Sequence, residues 1–148
     1  LDIAEGGVND ALAEALGLTV TAPLECGRVA ELPEAEAAGD FARRTGTALG
    51  VSGLRYYDSG RPVRRVALCG GSGKSLIRDA VASGADAYIT GDISYHEFMT
   101  ENGFFLMDIG HYEGEIDIVE RISDILKEKI PTFAVRVIRE NNHLVYYI

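Results

Sequence analysis

Apolar and polar positions change period several times along this chain, and each change marks a boundary between predicted elements. A short helix is expected over residues 10–16, with Asn9 as its cap and Gly17 as a left-handed stop. Residues 18–24 read as a strand. The acidic, alanine-rich stretch 33–38, continued by Phe41, Ala42 and Leu49, predicts a second helix ending at Gly50, followed by a charged turn over 57–62. From Val63 onward the alternation is regular: strand 66–69, helix 75–82, strand 87–90, helix 95–101, strand 104–107 and a long helix 113–129. Ile116, Val119, Ile122 and Leu126 recur at helical spacing and are expected to form the buried face of that last helix. Pro131 stops it, residues 132–138 alternate as a strand should, and 144–148 are expected to add a final strand. The sum is a layered α/β domain whose strand ends carry the loops that build a site.

Composition sharpens this picture. With 148 residues, 47% hydrophobic and 25% charged, the chain has what one globular domain with a real core requires. No apolar run approaches the ~20 residues of a membrane helix, and no signal peptide is evident, so a soluble cytoplasmic protein is expected. The net charge of -9, from 14 basic and 23 acidic residues, repels both nucleic acid phosphates and anionic lipid, and neither is an expected partner. Cys26 and Cys69 stand far apart with no CxxC pair, which suggests reduced thiols rather than a disulfide framework or a zinc finger. The chain opens at Leu1 on what reads as a strand end entering a helix, so further sequence is expected to precede it.

Three loops carry candidate chemistry. Cys69-Gly70-Gly71-Ser72-Gly73-Lys74-Ser75 lies between a strand and a helix, where backbone amides can hold an anion. The full phosphate-loop pattern needs glycine where Leu68 stands, so a nucleotide triphosphatase is a minor reading. Gly70, Gly71, Ser72 and Gly73 are either a tight turn or the lining of a pocket for an anionic substrate. Cys69 reads better as a buried strand-end thiol than as a nucleophile, because no general base is evident near it in sequence.

The second loop is Asp108-Ile109-Gly110-His111-Tyr112-Glu113-Gly114-Glu115. His111 and Glu115 are four positions apart, which puts both on one face of a helical turn; an imidazole and a carboxylate there suit zinc, iron, manganese or nickel better than calcium. A bare His-x-x-x-Glu is more often a solvated pair. The third loop, Thr90-Gly91-Asp92-Ile93-Ser94-Tyr95-His96, also follows a strand. His96 is either a proton shuttle at the same edge or a surface residue of a helix capped by Asp92 or Ser94. His143 reads as surface decoration.

Four segments match one family in the same order: Leu1-Asp2 with Gly6-Gly7-Val8-Asn9-Asp10, then Cys69 to Gly73, Thr90-Gly91-Asp92, and Gly110-His111-Tyr112 with Glu115. The chain therefore resembles the NGG-one-interacting factor three family, also described as GTP cyclohydrolase type 2 homologues, over essentially all of residues 1–148. The resemblance implies one of two related α/β modules, with residues 1–20 leading from a missing first module, and a toroidal homohexamer holding two divalent metal ions per subunit. It makes Asp2, His111 and Glu115 metal ligands and puts His96 in the pocket. The family's adjacent histidine pair has no counterpart here, so this chain alone is expected to bind metal weakly and to be inactive. A metal-dependent hydrolase acting on a nucleotide-like or other anionic substrate is the leading expectation. A non-catalytic metal-binding ring protein and a phosphate-loop nucleotidase, dependent on Lys74, are the alternatives.

Overall fold

The computed structural model describes residues 1–51, 53–99 and 103–138. In chain order these form α1 (Val8–Ala15), β1 (Thr19–Leu24), β2 (Gly27–Glu36), α2 (Ala38–Leu49), β3 (Arg55–Tyr57), β4 (Val63–Leu68), α3 (Ile77–Ala82), β5 (Ala87–Thr90), β6 (Phe105–Asp108) and α4 (Ile118–Lys129). Single 3-10 turns occupy Lys74–Leu76 and Tyr95–Phe98. The strands make one sheet in the order β1-β2-β4-β5-β6-β3. Its centre, β4-β5-β6, is parallel, and antiparallel pairings of β1 with β2, β2 with β4 and β3 with β6 flank it.

Alternating side chains divide the core between the two faces of the sheet. On one face Ala30, Val66, Leu68, Ile89 and Met107 pack with Leu12 and Leu16 of α1 and with Phe41 and Ala42 of α2. On the other face Val29, Ala67, Tyr88 and Leu106 pack with Leu76 and with Ala80 of α3. The β5 strand is buried at every position, as a central parallel strand covered on both sides must be. The expected α/β class is thus found, in three layers.

Several local expectations need correction. Residues 33–36 belong to β2 and not to the second helix, which starts at Ala38; Pro33 sits where β2 and β4 lose their regular register, a place that tolerates its missing donor. The helix does end at Gly50, whose φ of 65° is left-handed. Gly17 (φ 63°) ends the first helix in the same way. Asn9 is not a cap: the helix starts at Val8 behind Gly7, and Asn9 is buried within it. The helix expected over 95–101 is a 3-10 turn, and α4 begins at Ile118, five residues later than expected.

The face expected to be buried in the last helix is only partly covered. Ile116, Val119 and Leu126 are 37%, 38% and 39% exposed, and Ser123 is the buried residue of the helix. Residues 132–138 form no strand, and Phe133 and Ile138 are exposed, so alternation alone did not secure a pairing edge. The strand expected at 144–148 and the surface position expected for His143 lie outside the described residues.

Candidate functional site

The three parallel strands end side by side, and each delivers one of the loops singled out above. The strand β4 leads through Cys69 to Gly70–Gly73, β5 to Gly91-Asp92, and β6 to Gly110-His111. Backbone bonds lace the loops together: Gly91 N–H donates to Gly71 O at 2.8 Å, and Ile109 N–H to Thr90 O at 3.0 Å. The buried Thr90 hydroxyl accepts from Gly73 N–H at 2.8 Å and donates to Gly71 O at 3.1 Å.

Glycine is required where these loops cross. A Cβ on Gly91 would lie 2.8 Å from the Gly110 carbonyl, and one on Gly70 would lie 2.6 Å from Gly114 O. At Gly71, φ is 65° and a Cβ would collide with the Glu115 carboxylate and press on His111 Nε2. The absence of a side chain at Gly71 leaves the space in front of the two donors open.

His111 is engaged at both ring nitrogens. Its Nδ1 is 2.7 Å from Asp92 Oδ2, and its Nε2 faces Glu115 Oε1 at 3.6 Å. The Asp92 hydrogen bond, and beyond it the charge of Glu115, hold the imidazole above its usual range against the opposing effect of partial burial. Asp92 reaches His111 from a left-handed backbone (φ 57°), a conformation that aspartate tolerates better than most residues. The turn preceding α4, closed by Glu115 N–H to Tyr112 O at 3.1 Å, keeps residues four apart on one face without a continuous helix.

Asp2 lies on a separate segment that is tied to this floor through Asn9. The Asn9 amide donates to Asp2 O at 2.9 Å and to Cys26 O at 2.6 Å, and its Oδ1 accepts from Gly70 N–H at 2.8 Å. The Arg28–Asp10 ion pair (2.6 Å) and the bond from Arg28 to Ala4 O (2.8 Å) hold the segment from the other side. Burial opposes ionisation of Asp10, yet the Arg28 guanidinium keeps its carboxyl below the ordinary range.

The donors at these strand ends are compatible with a divalent metal ion. The Nε2–Oε1 separation, the Asp92 bond behind the ring and the vacant Cβ position at Gly71 fit an ion held by His111 and Glu115. Among the described residues, no three His, Cys, Asp or Glu side chains converge on one point, so Asp2 does not join the pair here. The residues fit as part of a ligand set.

The remaining candidates divide. His96 sits exposed on the 3-10 turn, its ring edge-on to Tyr95 at 5.9 Å. Ser94, with Glu97, caps that turn, one of the two expected caps. In the glycine loop the amides of Gly70 and Gly73 are already bound by Asn9 and Thr90, so those two are committed to structure. Cys69 is buried, and burial, with Cys26 beside it, pushes its thiol up to about 12, which leaves it neutral.

Asp92, expected only as one of two possible caps, instead bonds His111. The signal available was its place, just past the end of the strand next to the one that delivers His111. Asn9 departs from its expected capping role for a different reason: a buried asparagine serving three chain segments looks the same in sequence as a helix cap.

Fold and site together define a three-layer α/β protein with a histidine–carboxylate pair set over a glycine floor at its parallel strand ends. The chain belongs to the family described as Duf34/NIF3 (NGG1p interacting factor 3), which matches residues 1–143. It is 37% identical over 142 residues to a Streptococcus pneumoniae protein named GTP cyclohydrolase 1 type 2 homolog, covering 86% of this chain and 53% of that one. A Pseudomonas aeruginosa protein of the same name is 37% identical over 133 residues, covering 84% and 52%. The chain thus spans about half the length of these relatives. The structure of Staphylococcus aureus hypothetical protein SA1388 superposes with a TM-score of 0.89 at 23% identity, over 100% of this chain and 66% of that one, which shows the fold. Reduced HcgD from Methanocaldococcus jannaschii gives 0.71 at 28% identity, over 88% and 54%. No helix among the described residues is long and apolar enough to cross a membrane.

Proposed function

We propose that this chain supplies part of a dinuclear metal site in a metal-dependent hydrolase acting on a nucleotide-like or other anionic substrate. The observation that carries the reading is His111, whose Nδ1 is engaged by Asp92 while Nε2 faces Glu115 across 3.6 Å beside a glycine. A carboxylate behind the ring selects the tautomer with a free Nε2 and raises its basicity, as in metal-binding histidines generally.

His111 and Glu115 would hold the ions, with Asp2 joining them in the complete site. Two divalent ions (zinc, iron, manganese or nickel) would supply Lewis acidity and an activated water. Asp92 orients the imidazole, and Gly71 keeps the approach clear. His96, exposed near the same edge, would accept or deliver a proton. Among the described residues the amides of Gly71 and Ser72 carry no hydrogen bond to the protein, and they are the part of the loop suited to an anion. The relatives' name favours a nucleotide-like substrate. The rest of the ligand set would come from outside this chain and the complete protein would self-associate as a homohexameric ring, so this chain alone is expected to hold metal weakly and to turn over nothing.

Metal content after dialysis, measured by elemental mass spectrometry, tests this on the chain and on a form extended to the relatives' length. Two ions per extended chain, lost in His111→Ala while the shorter chain stays nearly empty, is the expected result. An extended protein that holds none sinks the reading.

A further inference from the structure

Away from the His111–Glu115 pair, two thiols face each other. Cys26 is in the two-residue turn between β1 and β2, and Cys69 is the first residue after β4; 43 positions separate them, yet their sulfurs are 4.0 Å apart. The register explains the meeting. Arg28 stands opposite Leu68, so the tip of the β1–β2 hairpin arrives over the end of β4. Gly27 permits the close approach, since Leu68 O occupies the place its Cβ would take. The turn itself is tight, with Glu25 at φ 45°.

Asn9 then fixes both sides. It donates to Cys26 O and accepts from Gly70 N–H, so one buried side chain holds the backbones that carry the two sulfurs. The contact is a product of the fold and not of two flexible side chains. Cys26 is half-buried, Cys69 is buried, and both are free thiols.

We propose that Cys26 and Cys69 are a reversible dithiol–disulfide pair, oxidised by hydrogen peroxide and reduced by small thiols. The half-buried Cys26 reacts first. Its thiolate attacks one peroxide oxygen, an S–O bond forms, the O–O bond breaks, and hydroxide leaves to become water, giving a sulfenic acid. Cys69 then attacks the Cys26 sulfur: the S–S bond forms, the S–O bond breaks, and the departing hydroxide takes up the proton lost by Cys69. The two thiols together lose two electrons and two protons, and one peroxide becomes two waters. Two equivalents of a small thiol reverse the change through a mixed disulfide. Burial makes Cys69 the poorer first nucleophile, which sets the order of the two steps.

Closing the bond brings the sulfurs to about 2.05 Å and draws the hairpin tip toward Gly70. Gly71, next in the chain, lies against Glu115 and His111, so oxidation should be felt at the candidate site. The proposal does not depend on metal or on turnover.

The test treats the purified protein with peroxide, then counts thiols, weighs the intact chain and maps linked peptides, before and after dithiothreitol. Expected are the loss of both thiols, a mass lower by two hydrogens, and one intramolecular Cys26–Cys69 link that dithiothreitol removes. In Cys69→Ser, dimedone should trap a sulfenic acid at Cys26. Two thiols that remain titratable, oxygen added to each sulfur separately, or links only between molecules would each overturn the proposal. The wild-type peptide map decides the matter even if the variant fails to fold.

Discussion

His111 and Asp92 form a contact whose value changes with pH. The folded chain holds the imidazole above its ordinary value of 6.5, because the protonated ring donates to Asp92. The stability this adds is fully present below the ordinary value and is lost as pH rises through the raised one. An NMR titration of the metal-free chain should therefore place the His111 midpoint above 6.5, and Asp92→Asn should move it down. A midpoint that stays put in the variant would remove Asp92 from its assigned role. Asn9 offers a second test. Because it is 1% exposed and serves three backbone groups, Asn9→Ala should cost about 1–3 kcal/mol in chemical denaturation, the range for stranding buried polar groups.

Among the elements, the parallel centre was legible in sequence because each of its strands contains a short apolar run that leads into a polar or glycine-rich loop. The 87–90 strand was placed to the residue, and 66–69 and 104–107 came within a few residues of β4 and β6. Of the antiparallel flanks, β1 was legible as the strand 18–24, but β2 and β3 were not. Residues 27–36 alternate weakly and include Glu31, Pro33, Glu34 and Glu36, and Arg55-Tyr56-Tyr57 is only three residues long, so neither stretch shows an apolar face of its own. Their pairing with β4 and β6 supplies what local pattern lacks. The candidate site was legible as three loops but not as a set of contacts, since the Asp92–His111 bond depends on which strands are neighbours. The glycine crossing gives an element-level prediction. Gly71→Ala should lower stability by at least about 1 kcal/mol from its left-handed backbone alone, and should shift the His111 midpoint as Glu115 is displaced. Thermal unfolding together with the same titration would check both effects.

At the scale of the whole molecule, two cores cover the sheet, yet the segment 116–130, which contains α4, carries an apolar stripe only partly covered among the described residues. Ile116, Val119, Leu126 and Ile130 are each more than a third exposed. Apolar rows of this kind promote association. The purified chain should therefore self-associate with rising concentration in sedimentation experiments, and Leu126→Lys should weaken that association without altering the circular dichroism spectrum. Equal behaviour of the two proteins across a dilution series would show that the stripe is inert.

The floor beneath His111 and Glu115 is made of peptide groups: Gly70, Gly71, Gly91, Gly110 and Gly114 meet there with no room for a Cβ at most of the crossings. A surface of this kind offers mutation almost no vocabulary. Side-chain replacement can retune a wall, but a floor of bare backbone is either kept or broken. Divergence in what such a cleft accepts must therefore be written in residues that reach over it from other segments, while the ground on which they work stays the same.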